Sequence, residues 1–103
     1  MDFKNKVIIV TGASSGIGRA AGEYLSQLGG SIVITGRNEE ELKITASNCS
    51  SSDNLIIVAD VTKATDREKI INETVKKFGK IDVLVNNAGA GFFANVVDFK
   101  MED

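Results

Sequence analysis

Histidine, proline and tryptophan are absent from this chain, and cysteine and tyrosine occur once each. Without histidine, the commonest general base, zinc ligand and near-neutral pH switch are excluded together. A lone Cys49 excludes an internal disulfide framework and a cysteine metal cluster, so no metal site is expected. No proline-rich stretch marks a domain linker. The longest apolar runs are four or five residues. That is too short for a membrane span of about 20 residues or a signal-peptide core of roughly 7–15, and the expected location is cytoplasmic. A net charge of −2 offers no basic surface for nonspecific attraction to nucleic acid or an anionic membrane. Asn48-Cys49-Ser50 and Asn72-Glu73-Thr74 match the glycosylation acceptor pattern, but with no secretory signal they read as chance matches. What remains is an ordinary soluble composition, 43% hydrophobic and 25% charged over 103 residues, enough for one domain or part of one.

Short apolar runs alternate with helical patterns at 7–10, 17–28, 31–35, 39–48, 55–59, about 66–78 and 83–85. The order reads β-α-β-α-β-α-β. Leu55-Ile56-Ile57-Val58 lacks polar alternation, which suits a strand covered on both faces by crossover helices and therefore a parallel sheet. In the first helix Ile17, Ala20, Ala21, Tyr24, Leu25 and Leu28 form an apolar stripe, ended by Gly29-Gly30. Asn38 with Glu41, and Thr65 with Glu68, have capping-box spacing. In the third helix Ile71, Val75 and Phe78 make the stripe and Gly79 the stop. After Asn86 the pattern fades, and Glu102-Asp103 suits the first turn of a further helix.

The most informative stretch is Thr11-Gly12-Ala13-Ser14-Ser15-Gly16-Ile17-Gly18, directly after the first strand and opening the first helix. Glycine permits positive φ and close approach of a ligand to the backbone, and a helix start offers unpaired N–H groups and a positive dipole end to phosphate. The spacing is Gly-x-x-x-Gly-x-Gly, and Arg19 stands where a P-loop needs lysine and a hydroxyl, so ATP hydrolysis is not expected. A glycine-rich packing turn without ligand is the competing reading. At the end of the second strand lies Thr35-Gly36-Arg37-Asn38. A dinucleotide site selective for NAD has Asp or Glu there for the ribose 2′-hydroxyl, whereas arginine accommodates a 2′-phosphate. Arg37, with Asn38 beside it as a second cofactor-binding candidate, therefore points to NADP(H) over NAD(H). The alternative is a solvated Arg37 beside an Asn38 that only caps the next helix.

With Thr-Gly-x-x-x-Gly-x-Gly at 11–18, Asp60-Val61 after the third strand and Asn86-Asn87-Ala88-Gly89 after the fourth, the chain resembles the short-chain dehydrogenase/reductase family over its whole length. The resemblance implies a Rossmann-like doubly wound parallel sheet, here incomplete, with residues 1–103 as the N-terminal part of a longer dinucleotide-binding domain. It implies that Gly12, Gly16, Gly18 and the Ile17 backbone line the pyrophosphate, and that Ser14 and Ser15 donate to the adenosine ribose or its 2′-phosphate. Asp60 would accept from the adenine amino group beside the Val61 backbone. Asn87, Ala88 and Gly89 would lie along the cofactor, and Asn86 and Thr11 would tie strand ends together. Asp60 as a helix cap and Asn86-Asn87 as turn residues are the alternatives. Phe92-Phe93 suit core packing or a nicotinamide wall. Tyr24 is followed four residues later by Leu28, not lysine, and is taken as a packing residue.

The family's catalytic serine, its Tyr-x-x-x-Lys pair and a further asparagine would fall beyond Asp103, so no catalytic residue is assigned here. The expected parent protein is an NADP(H)-dependent oxidoreductase passing hydride to or from a small-molecule carbonyl or secondary alcohol; the sequence is silent on its oligomeric state, and homo-oligomers of this family often form through the later helices. The chain alone is expected to be inactive. A noncatalytic dinucleotide-binding or sensor module is the alternative, and the strand ending at Asn86 would then form an exposed apolar edge.

Overall fold

The computed structural model describes residues 2–50 and 53–87, together with the backbone of 95–98. Strands β1 (Val7–Thr11), β2 (Ser31–Gly36), β3 (Asn54–Val58) and β4 (Val83–Asn86) alternate with helices α1 (Gly16–Gln27), α2 (Glu39–Asn48) and α3 (Ala64–Phe78), and β5 (Asn95–Asp98) follows. The sheet order is β3-β2-β1-β4-β5. The first four strands are parallel, with Val10 level with Ile34 on one side and Val85 on the other. This is the expected Rossmann-like arrangement.

Successive strand residues face opposite sides of a sheet, so each apolar run feeds two cores. Ile8, Val10, Ile32, Ile34 and Val85 pack with Ala21, Leu25 and Leu42 under α1 and α2. Val7, Ile9, Val33 and Ile57 pack with Ile70, Val75 and Phe78 under α3. Every β1 residue is buried, which is why that run shows no polar alternation.

Local expectations in all three helices are corrected. In α1, Ile17 and Tyr24 are 52% and 58% exposed, and the buried face is instead Gly18, Gly22 and Ser26. Small residues four apart let the helix lie close to the sheet, a packing signal that an apolar stripe does not carry. Tyr24 therefore does not serve as a packing residue. The cap of α3 is Lys63, without a side-chain bond, so the Thr65 box does not form. Asp66 faces back instead and accepts the Asp60 N–H at 2.7 Å. In the same helix Ile70 and Thr74 are buried while Ile71 is 40% exposed. The cap of α2 does form, with Asn38 Oδ1 accepting from the Glu41 N–H at 3.1 Å. Its reciprocal arm does not, because the Glu41 carboxylate pairs with Arg19 at 2.7 Å.

The open edge expected at β4 is also corrected. Strand β5 runs antiparallel along it, from Asn86 opposite Asn95 to Val83 opposite Asp98. Two valines between Asn95 and Asp98 are too short an apolar run to announce a strand in sequence. At the opposite edge, Lys69 Nζ donates to the Val58 carbonyl at 3.0 Å, a lysine guard on edge strand β3.

The entry to β1 is secured by Asp82, whose Oδ2 accepts the Val7 N–H at 2.8 Å and lies 3.2 Å from Lys80 Nζ. Partial burial pushes this carboxyl up, but the Val7 N–H and Lys80 outweigh it and hold the group below the usual aspartate range. Asp82→Ala is expected to lower stability to urea unfolding at pH 7 by about 1–2 kcal/mol, the worth of a charge-assisted bond. That difference is full above the ordinary value of about 4 and is lost as pH falls through the lowered folded value, so wild type and variant converge in acid. Gly22 presents the opposite case. A Cβ built there would sit 3.8 Å from Ile32 Cγ2 and 3.9 Å from Thr45 Cγ2, ordinary contact distances. Gly22→Ala is expected to gain about 0.5–1 kcal/mol in the same measurement, through reduced backbone entropy in the unfolded chain.

Candidate functional site

Because β1 to β4 run parallel, their carboxyl ends share one rim, and the connections after β1, β2 and β3 meet there. Thr11 ends β1, Gly36 ends β2, and Ala59-Asp60 follow β3, with the Ala59 N–H bonded to the Gly36 carbonyl at 2.8 Å. Open parallel sheets bind ligands beyond this rim.

Helix α1 begins at the rim with its first turn uncompensated. Its cap residue Ser15 is extended, makes no side-chain cap bond, and is followed by no acidic residue in the first turn. The free N–H groups and the positive dipole end are left for an anion. Two glycines of the turn serve different purposes. Gly16 has φ +60° and nothing within 4 Å of where a Cβ would stand, so its glycine is required by conformation and leaves the approach open. Gly18 is buried, and a Cβ there would lie 2.0 Å from the Gly12 carbonyl oxygen, so its glycine is required by close packing of helix on turn. Ser15, Gly16 and Ile17 are exposed at the helix tip, and Ser14 is half-buried next to Gly36.

Beside the turn lies a cleft of about 270 Å³ lined by Gly12, Gly36, Arg37, Ala59, Asp60, Val61 and Thr62. It gathers four sequence-predicted residues, Gly12, Arg37, Asp60 and Val61, from the ends of three strands. Arg37 is exposed and makes no hydrogen bond or ion pair with any described residue. Asn38, next to it, has committed its Oδ1 to the α2 cap. Asp60 Oδ1 accepts from the Thr62 hydroxyl at 2.6 Å and the Thr62 N–H at 3.0 Å. Those two bonds hold its carboxyl below the usual range, with the positive charges of Arg37 and Lys63 adding to them. Asp60 closes a turn and does not cap α3.

Thr62 was not anticipated, although its position two residues after Asp60 is the spacing of a side-chain-closed turn. The strand-end tie was anticipated. Thr11 Oγ1 accepts the Asn87 N–H at 2.9 Å and lies 3.1 Å from Asn86 Oδ1. Asn87 Nδ2 reaches the Gly12 carbonyl at 3.4 Å. Ala88, Gly89, Phe92 and Phe93 lie outside the described residues. A second, more apolar cavity of about 450 Å³ lies between α3 and β4, lined by Ile9, Val61, Ile70, Ile71 and Leu84 among others. Among the described residues there is no group of metal-ligating side chains, and no helix is long and apolar enough to cross a membrane.

A rim with phosphate-ready N–H groups beside a largely apolar cleft that carries Arg37 and Asp60 fits an extended nucleotide. A model of the short chain dehydrogenase family matches residues 6–103. An uncharacterized oxidoreductase of Staphylococcus epidermidis is 40% identical over 99 residues, covering 96% of this chain and 43% of that protein. Among solved structures, glucose dehydrogenase of Caenorhabditis elegans in its apo form is 41% identical with a TM-score of 0.81, over 88% of this chain and 40% of its own. The 3-ketoacyl-(acyl-carrier-protein) reductase of Brucella melitensis, complexed with NADH, is 33% identical with a TM-score of 0.80, over 85% of this chain and 36% of its own. The chain thus spans about two fifths of the proteins it matches. A glycine turn, Asp60 and Asn86-Asn87 at successive strand ends, on this sheet order and with a family match over nearly all its length, establish that the chain belongs to the short-chain dehydrogenases.

Proposed function

We propose that residues 1–103 are the cofactor-binding part of an oxidoreductase that uses NADP(H) to reduce a small-molecule carbonyl or oxidise a secondary alcohol. The bound nicotinamide would supply the hydride. The residues here would hold the dinucleotide: Gly12, Ser14, Ser15, Gly16 and Ile17 at the pyrophosphate and ribose, with Gly18 packed beneath. Asp60 and Val61 would contact adenine, and Asn87, Ala88 and Gly89 would follow toward the nicotinamide. Proton transfer and substrate binding belong to residues outside this chain, so 1–103 binds cofactor without turning it over. A cytoplasmic location is part of the same reading, supported by the single Cys49 and the short apolar runs.

The observation that carries the choice of NADP(H) is Arg37, an exposed guanidinium on the cleft wall at the end of β2 that makes no hydrogen bond or ion pair with a described residue, although its charge acts on Asp60 across the cleft. The end of β2 itself carries no carboxylate to repel a 2′-phosphate, and Asp60, which lines the same cleft from the end of β3, is engaged by Thr62. The NADH complex belongs to the Brucella protein, and the preference proposed here rests on Arg37 of this chain.

A stand-alone binding module is a second reading, favoured by one feature. Strand β5 covers the side of β4 that would otherwise be an unpaired edge. A monodisperse monomer of 1–103 on size exclusion supports the module, and aggregation counts against it.

Titration of 1–103 with NADPH and NADH, followed by nicotinamide fluorescence, is expected to favour NADPH by at least about tenfold, the worth of one charge-assisted contact. Arg37→Asp should abolish or reverse that preference. Equal binding of the two cofactors, or a preference unmoved by Arg37→Asp, removes the NADP(H) assignment. Gly16→Asp, which places a carboxylate at a φ suited to glycine beside the phosphate, should eliminate binding of both. No hydride transfer above background is expected from 1–103 with carbonyl or alcohol substrates.

A further inference from the structure

The glycine turn is held from behind by three side chains, two of which, Thr45 and Arg19, have no part in the proposed cofactor contacts. Its three consecutive carbonyls each receive a donor from a different part of the chain. Gly12 C=O faces Asn87 Nδ2 at 3.4 Å, Ala13 C=O accepts from Thr45 Oγ1 at 2.7 Å, and Ser14 C=O accepts from Arg19 Nη2. Thr45 is fully buried on α2. Its hydroxyl accepts from Arg19 Nε at 2.9 Å and has one proton to give, for which the Ala13 carbonyl at 2.7 Å is better placed than the Glu41 carbonyl at 3.3 Å. Arg19 is in turn anchored by the Glu41 carboxylate at 2.7 Å, with the Glu41 carbonyl 3.1 Å from the same nitrogen.

In a trans peptide the C=O and the following N–H point in opposite directions. Fixing the Ala13 and Ser14 carbonyls toward α2 therefore turns the Ser14 and Ser15 N–H groups the other way, and neither donates to another described residue. A free turn would sample peptide flips that present carbonyl oxygens to a phosphate. We infer that Thr45 and Arg19 are positioning residues that lock the peptide orientation of the glycine turn, so that it meets the pyrophosphate with N–H groups only. The inference rests on the cofactor reading above. It also ties the turn to Arg37, because Asn38, which caps α2, bonds the N–H of the same Glu41 that anchors Arg19.

The test compares Thr45→Val, which keeps shape and removes the hydroxyl, with Thr45→Ser, which restores it, and with Arg19→Met, all in residues 1–103. Each is titrated with NADPH and with adenosine 2′-phosphate, which has the 2′-phosphate but no pyrophosphate. Thr45→Val and Arg19→Met are expected to weaken NADPH about tenfold, the range of one lost bond in a buried network. Both should leave adenosine 2′-phosphate within about twofold, and Thr45→Ser should bind NADPH like wild type. In amide NMR spectra of the ligand-free variants, Ser14 and Ser15 should shift while the sheet amides stay in place. Unchanged NADPH affinity in both disabling variants overturns the inference and leaves the cofactor assignment standing. Equal weakening toward both ligands, unrescued by Thr45→Ser, also overturns it, as a merely structural role. Wild-type chain that binds neither NADPH nor NADH removes the cofactor reading and this inference with it.

Discussion

The contact on which the site depends is the backbone of Gly12 lying against Gly18, closer than any side chain at position 18 would allow. It folds the connection after β1 back onto the helix that follows it. The first turn of α1 is thereby brought to the rim of the sheet with its N–H groups outward. Everything at the rim is placed relative to this junction. Asn87 from β4 reaches the same Gly12 carbonyl, and the cleft wall formed by Gly36, Arg37 and Asp60 begins beside it. Thr45 and Glu41, on α2 behind the turn, help hold the junction through the Ala13 carbonyl and through Arg19, because a surface turn of small residues has little packing of its own.

The sheet supplies the frame for that junction by dividing its side chains between two faces. Odd and even positions of β1 serve different cores, so both sides of the central strand are covered and the glycine turn, Arg37 and Asp60 are left at the strand ends. Fold and site are therefore not separable in this chain. The same parallel pairing that makes the strands continuously apolar also aligns their carboxyl ends, and a residue one or two positions past a strand is carried to the rim whatever its chemistry.

Much of this was legible. The four parallel strands follow from unbroken β-branched runs, the stops at Gly29 and Gly79 from residue type, and the cleft residues Arg37 and Asp60 from their distance past a strand. The buried face of α1 was not legible, because Gly18, Gly22 and Ser26 show burial by small size while Ile17 and Tyr24 look apolar and stand in solvent. The start of α3 was misplaced because Asp66, one residue from the expected cap, bonds back to Asp60. Strand β5 has too few apolar residues to be seen without its partner. The Arg19–Thr45 link joins residues 26 apart in sequence, and nothing local to either announces it. Short-range chemistry was readable; contacts made by two helices lying side by side were not.

Asp60 and Arg37 face one cleft, and the two bonds from Thr62 keep the carboxylate ionised well into acid. With no histidine in the chain and Cys49 pushed up by burial, the described site has no group of its own that changes charge near neutrality. Its electrostatic field is therefore constant across the physiological range. On the proposed cofactor reading, the ionisation that lies near neutrality is the nucleotide's own, since a phosphate monoester has its second ionisation at about 6. The protein acts as a fixed template, and the ligand brings the acid–base equilibrium with it.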